Sequence, residues 1–321
     1  MKNLSAWIPL ICALLLAAAG PLLGPYASDL VVKVMILSIF ALSLELLVGM
    51  TGLVSLGHAA FYGIGAYATV LASGAEGGSI AGLLPLAMGS AALYALVVGA
   101  LSLRTRGVYF IMVTLAFAQM AYFIFHDTKF GGGSDGIYMY VRPSLGALDM
   151  ENRRVQFYAV LAALVGTYGL LALIRRSRFG AALAGIRVNE QRMRAAGFAV
   201  YGYKLAAFVL AGALAGLAGF LVAARDGVVN PELLAWHNSG EVLLMIILGG
   251  LGHLRGAVIG AVAFTVLKEV LGTHALVGPL ADHWQLTLGI AIIVFVALLP
   301  KGLIGLAARI SPSPLPKAVA P

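Results

Sequence analysis

Few side chains in this sequence are equipped for chemistry, and their spacing excludes most kinds. The six histidines, His58, His126, His237, His253, His274 and His283, include no pair at i, i+4, the spacing that sets two imidazoles on one helix face for a metal. No metal site is therefore expected. No G-x-x-x-x-G-K-[ST], H-E-x-x-H or C-x-x-C run occurs. Without a phosphate-cradling loop the chain hydrolyses no nucleotide itself, so any ATP it uses is split by another subunit, and no cofactor is expected. Cys12 stands alone in an apolar run; it can form no intrachain disulfide and reads as a small packing residue.

The ionisable residues inside or beside apolar runs carry more information, because each costs several kcal/mol if left unpaired in lipid. Glu45 lies near one end of the run Ile36 to Val48. It reads as a pathway or gating carboxylate, or as an interfacial acid paired with a base or hydroxyl. Lys33 and Lys268 sit near the other ends of their runs, where a long side chain can snorkel, and Lys268 has Glu269 beside it. His58 and His253 read as buried imidazoles bonded to backbone carbonyls, with a ligand role as the alternative. No chain of buried acids crosses the apolar runs as a proton relay requires, which disfavours a proton-coupled carrier.

The elements holding these residues follow from composition. Of 321 residues 61% are apolar and 11% charged, with a mean hydropathy of +0.98. Soluble domains carry about 25% charged residues, so this chain cannot cover a water-facing surface. A bilayer span needs roughly 20 apolar residues, and about ten such stretches can be read: Trp7 to Leu23, Leu30 to Val48, Gly52 to Ala72, Ala81 to Leu103, Val108 to Phe125, Phe157 to Ile174, Leu205 to Ala224, Val242 to Leu251, Ala257 to Leu271 and Trp284 to Leu299. They are expected to be helices, since a span must satisfy its own backbone and no alternating barrel pattern is present. The expected fold is an all-α polytopic membrane protein over residues 1–305, with some helices short or broken by glycine. A proline-rich, disordered tail is expected over residues 306–321.

A net charge of +8 would suggest nucleic acid in a soluble protein, but here the question is which loops hold the bases. With the N-terminus inside, Lys2, Arg104, Arg106, Arg175, Arg176, Arg178, Arg187, Arg192, Arg194, Lys204, Arg255, Lys301, Arg309 and Lys317 fall on the cytoplasmic side. Glu190 is the one unambiguous acid among them. Asp127, Asp135, Asp149, Glu151, Asp226, Glu232 and Asp282 fall opposite and outnumber the bases there. Both termini are then cytoplasmic. The alternative is a cleavable signal peptide ending at Ala17-Ala18-Ala19-Gly20, which leaves nine spans and an outside N-terminus.

Two spans are unusually rich in glycine: Gly49, Gly52, Gly57, Gly63 and Gly65 in one, Gly249, Gly250, Gly252, Gly256 and Gly260 in the other. They share Leu56-Gly57-His58 with Ile64-Gly65-Ala66, against Leu251-Gly252-His253 with Ile259-Gly260-Ala261. Short glycine-interrupted segments recurring in a transporter point to a substrate pathway, although chance matching in Gly/Ala-rich sequence is the alternative. The longest basic loop, 175–204, reads as a short helix and turn with a small apolar face at Leu183, Ile186, Met193 and Ala196. Such a helix either needs a partner surface or lies on anionic headgroups.

The run Leu46-Leu47-Val48-Gly49-Met50-Thr51-Gly52-Leu53-Val54-Ser55-Leu56-Gly57-His58-Ala59-Ala60-Phe61-Tyr62-Gly63-Ile64-Gly65-Ala66-Tyr67 closely resembles the permease subunit of branched-chain amino-acid ABC importers, the LivM type. Further matching pieces, in the same order, include Arg104-Thr105-Arg106-Gly107, Gly132-Gly133-Ser134-Asp135-Gly136, Ser177-Arg178-Phe179-Gly180, Ser239-Gly240-Glu241 and Leu299-Pro300-Lys301-Gly302-Leu303. The resemblance spans about residues 40 to 305.

The resemblance implies an inner-membrane permease paired with a second homologous permease chain, two cytoplasmic ATP-binding subunits and a periplasmic substrate-binding protein. It implies a coupling helix within Gly180 to Gly197, with Gly180, Leu183, Ile186, Arg187, Glu190, Ala196 and Gly197 meeting the ATPase. The pathway is expected at Glu45, Gly52, Ser55, Gly57, His58, Gly249, Gly250 and Gly252. Two positions depart from the family pattern: Glu45 replaces the typical asparagine and Val188 a usual acid. Urea, short amides or aromatic acids are alternative substrates. A self-contained channel or carrier is the alternative class, and a purely structural membrane subunit is a third.

Overall fold

The computed structural model describes residues 4–74, 77–146, 148–274, 278–299 and 301–305. The tail 306–321 lies outside them, as does Lys2. Helices dominate: α1 (Leu4–Ala19), α2 (Pro25–Thr51), α3 (His58–Ser73), α4 (Ile80–Ser102), α5 (Val108–Asp127), α6 (Arg153–Arg176), α7 (Arg178–Val188), α8 (Glu190–Ala195), α9 (Val200–Asp226), α10 (Trp236–Gly249), α11 (Leu254–Gly272) and α12 (Trp284–Leu298). Four two-residue strands form two small antiparallel pairs at one end, Ile137–Tyr138 with Val228–Val229 and Ser144–Leu145 with Leu148–Asp149.

Each of the ten expected stretches coincides with a helix. Among the described residues six helices are long and apolar enough to cross a membrane, or seven if α10 and α11, bent by 113° at their junction, form one span, so ten crossings are not confirmed. Glycine interrupts two of the expected stretches. In α2 the chain stops at Gly52, whose φ of +75° a side chain would resist, and the Gly52 N–H turns back to the Leu47 carbonyl. Helix does not resume until His58.

α2 and α9 are the central pair. Residues 35 to 51 of α2 are almost all buried, and α9 packs on α2, α3 and α4. Close approach comes from small side chains at i, i+4 spacing. Ala87, Ala91 and Ala95 of α4, each fully buried, meet Gly212 and Gly216 of α9, where an added Cβ would lie 2.4 Å and 2.6 Å from the Ala95 and Ala91 side chains. In a bilayer, where lipid is as apolar as leucine, such backbone proximity is what makes helix contacts favourable. The outer faces of α4, α5, α6 and α12 stay apolar and exposed, with Leu93, Met112, Leu173 and Ile293 all open. Cys12, expected to pack inside, lies exposed on α1.

Candidate coupling and translocation site

α7 and α8 stand at the basic end of the molecule, and two local caps build them. Ser177 Oγ accepts from the Gly180 N–H at 3.2 Å to open α7. Asn189 Oδ1 accepts from the Arg192 N–H at 2.9 Å to open α8. α8 closes on Gly197, with φ of +86°.

Leu183 and Ile186, expected to face a partner, are instead buried against the permease. The side of α7 and α8 left open carries Val188, Arg192, Ala196 and Gly197, with Val188 86% exposed. Gly180 is a packing position, since a Cβ there would lie 2.2 Å from the Ile174 carbonyl oxygen. Periodicity marks an apolar stripe but does not say which neighbour covers it.

Glu190, expected to meet the ATPase, is already engaged. Lys204 of α9 lies 2.6 Å from Oε2, while Arg194 and Arg106 lie 2.8 Å and 3.7 Å from Oε1. The Lys204 hydrogen bond, aided by Coulombic attraction to Lys204, Arg106 and Arg194, holds this carboxyl below its usual range despite some desolvation. Its role in the fold is to fasten α8 to α9 and to the 104–106 turn.

Arg187 is exposed on this side, but its guanidinium reaches toward α2. Its Nη1 donates to the Gly49 carbonyl. Positions where a Cβ would stand on Gly52 and Gly252 lie 3.4 Å from its Cγ and 3.5 Å from its Nη1. One side chain from the basic loop therefore bonds the end of α2 and lies beside both glycine-rich breaks. Glu45 lies in the same nest, 1% exposed, its carboxylate against the backbone groups of Gly252 and His253 and facing Arg187. Its Oε2 has no hydrogen-bond partner among the described residues.

The two glycine-rich pieces share a local form: a helix, a break, then a new helix with a histidine at its start. Their histidines behave differently. His58 is buried and bonds, at Nε2, to Ser43 Oγ at 2.8 Å, a hydroxyl where a carbonyl was expected. Ser43 Oγ also lies 2.6 Å from the Phe40 carbonyl, and His58 Nδ1 has no hydrogen-bond partner among the described residues. His253 is exposed, with Nδ1 3.1 Å from the Leu251 oxygen. Ser55 is fully buried and accepts from the Gly57 N–H at 3.2 Å.

Most of these glycines serve contact. A Cβ on Gly57 would lie 2.3 Å from the Thr114 oxygen, one on Gly249 1.8 Å from the Gly256 oxygen, and one on Gly260 1.8 Å from the Met245 oxygen. Gly250, with φ of +116°, turns the chain between α10 and α11. Ser239 escaped sequence reasoning: its Oγ accepts from the Ala59 N–H at 2.7 Å, satisfying the start of α3 from 180 positions away. No local pattern signals such a cap.

The family described as branched-chain amino acid transport system / permease component matches residues 26–298. The chain belongs to this family. Two relatives are named high-affinity branched-chain amino acid transport system permease protein LivM. The one from Escherichia coli (strain K12) is 30% identical over 92% of this chain and 74% of its own length. The one from Salmonella typhimurium is 31% identical over the same shares. A probable branched-chain amino acid transport permease protein LivH from Methanocaldococcus jannaschii is 29% identical over 47% of each chain. No solved structure matches. With its apolar helices, this member of the permease family is a multi-pass membrane protein and a transport component.

Proposed function

We propose that this chain is one of two homologous permease chains in an ATP-driven importer that moves branched-chain amino acids from periplasm to cytoplasm. Two cytoplasmic ATP-binding subunits and a periplasmic binding protein complete the complex. The basic end faces the cytoplasm, both termini lie there, and the open side of α7 and α8 meets an ATP-binding subunit. The names of the LivM relatives support the substrate. The observation that carries the mechanism is Arg187, which bonds the coupling segment to the Gly49 carbonyl and lies beside Gly52 and Gly252 at the two breaks.

Movement of α7 by the ATPase then pulls directly on the end of α2, beside both breaks. Those breaks form the floor of the pathway on the cytoplasmic side, where loss of helical hydrogen bonding makes the chain easiest to displace. Glu45 and His58 stand above that floor as buried polar groups that fix its closed form. The pathway itself runs along the junction with the second permease chain.

The test is uptake of labelled leucine into proteoliposomes containing the whole complex and loaded binding protein. Uptake is expected only with internal ATP and with both ATP-binding subunits present. Uptake driven by a proton gradient in their absence would overturn the reading.

A further inference from the structure

At the end of the molecule opposite α7 and α8, helices α2, α9, α10 and α11 enclose a cavity of about 300 Å³. It stands in series with the Arg187 nest, since α2, α10 and α11 line both. Its polarity is graded in the same direction on every wall. Lys33 precedes Phe40 on α2 by seven residues, about 10 Å of helix. Arg225 and Asp226 lie beyond Val222 on α9, Glu241 lies before Met245 on α10, and Lys268 and Glu269 lie beyond Phe264 on α11. The mouth is therefore charged and the floor apolar.

The charges at the mouth are three cations and three acids, so neither a net anion nor a net cation is favoured. Four of the six are held in ion pairs with one another or with a neighbour. Lys268 lies 2.9 Å from Glu241 and stands over the Trp284 ring at 5.2 Å. Arg225 lies 3.0 Å from Asp226 and 2.6 Å from Asp29. The other two are Lys33 and Glu269. Neither makes an ion pair within 4.0 Å among the described residues, and Glu269 accepts a hydrogen bond from the Tyr26 hydroxyl.

The geometry points to a binding site for one zwitterionic aliphatic amino acid, its carboxylate on Lys33, its ammonium on Glu269 and its side chain toward Phe40, Met245 and Phe264. The volume is at the low end for small-molecule sites and is enough for one amino acid. This inference rests on the proposed import of branched-chain amino acids and adds to it that the permease itself reads both charged ends of the cargo after the binding protein has released it.

The experiment uses the complete complex in proteoliposomes, with ATPase activity and uptake measured against the concentration of loaded binding protein. Lys33→Met and Glu269→Gln are each expected to lower maximal uptake at least about tenfold, the consequence of losing one charged hydrogen bond. The apparent KM for binding protein and the stimulated ATPase activity should stay unchanged. Lys33→Arg should retain most uptake. A raised KM with unchanged maximal rate would mean that these residues dock the binding protein, and would overturn the site. Unchanged uptake in both neutral variants, or equal loss in Lys33→Arg and Lys33→Met, would do the same. If one neutral variant lacks ATPase activity through misassembly, the other decides. An unsubstituted complex that fails to import leucine overturns the parent reading and is separable from all of these outcomes.

Discussion

Arg187 and Glu45 show how much a pair of residues can hold. Each is isolated in the sequence, one in a basic loop and one in an apolar run, and folding brings them together where the end of α2 meets the Gly252–His253 turn. A carboxylate buried to 1% exposure is tolerated only where charge and backbone amides face it. Arg187→Met should therefore uncouple the complex, with ATPase activity kept and uptake per ATP reduced. In a double-mutant cycle with Glu45→Gln, the two changes should be non-additive by about 0.5–3 kcal/mol, as for residues in contact; additivity would separate them. Glu190 makes a different prediction. Its carboxyl titrates lower in the folded chain than in the unfolded one, so its stabilisation is complete above the ordinary glutamate pKa of about 4.3 and is lost as pH falls through the lower folded value. Hydrogen exchange in α8 should thus be insensitive to pH-linked opening from pH 7 to 5 and rise below it. Glu190→Gln should speed exchange at pH 7 and abolish that dependence.

At the scale of elements, the broken helices are the distinctive feature. A helix interrupted at membrane depth leaves N–H groups that lipid cannot satisfy; here Ser55 and Ser239 satisfy two of them at the start of α3. Ser239→Ala should cost about 1 kcal/mol, the usual value of a lost cap, read as a lower thermal midpoint in detergent. The α10–α11 hairpin depends on bare backbone. A side chain on Gly260 would overlap the Met245 carbonyl, so Gly260→Val should destabilise by more than about 3 kcal/mol, beyond ordinary overpacking, and cut the yield of folded protein. Normal yield and activity in this variant would contradict the close approach. The glycine clusters were conspicuous in the sequence and their helical context followed from hydropathy. Which backbone each glycine meets did not, because Gly249 and Gly260 contact partners only through the 113° bend between their helices.

For the molecule as a whole, sidedness is the property to test. Val188, 86% exposed, should become reactive to a membrane-impermeant maleimide when changed to cysteine in a Cys12→Ser background, in inside-out vesicles of the permease expressed alone. Assembly with the ATP-binding subunits should protect it. Labelling from the periplasmic side would invert the proposed orientation. The all-α class and the family were legible in the sequence, since apolar runs long enough for a bilayer and a distributed set of motifs are local properties that need no knowledge of neighbours. The direction of each side chain was not. Leu183 and Ile186 form an apolar face that local periodicity reveals, yet only the packed structure shows that the permease itself covers it. Glu190 is an acid among bases in any reading, but two of its three partners, Arg106 and Lys204, come from other segments. Sequence alone determined that this chain lives in a bilayer and what kind of machine it belongs to, because hydropathy and motif order are written along the chain. Tertiary structure alone decided that Arg187 meets Gly49 and Gly252 and that Lys33 and Glu269 share one cavity, because contacts between distant segments depend on how the helices cross.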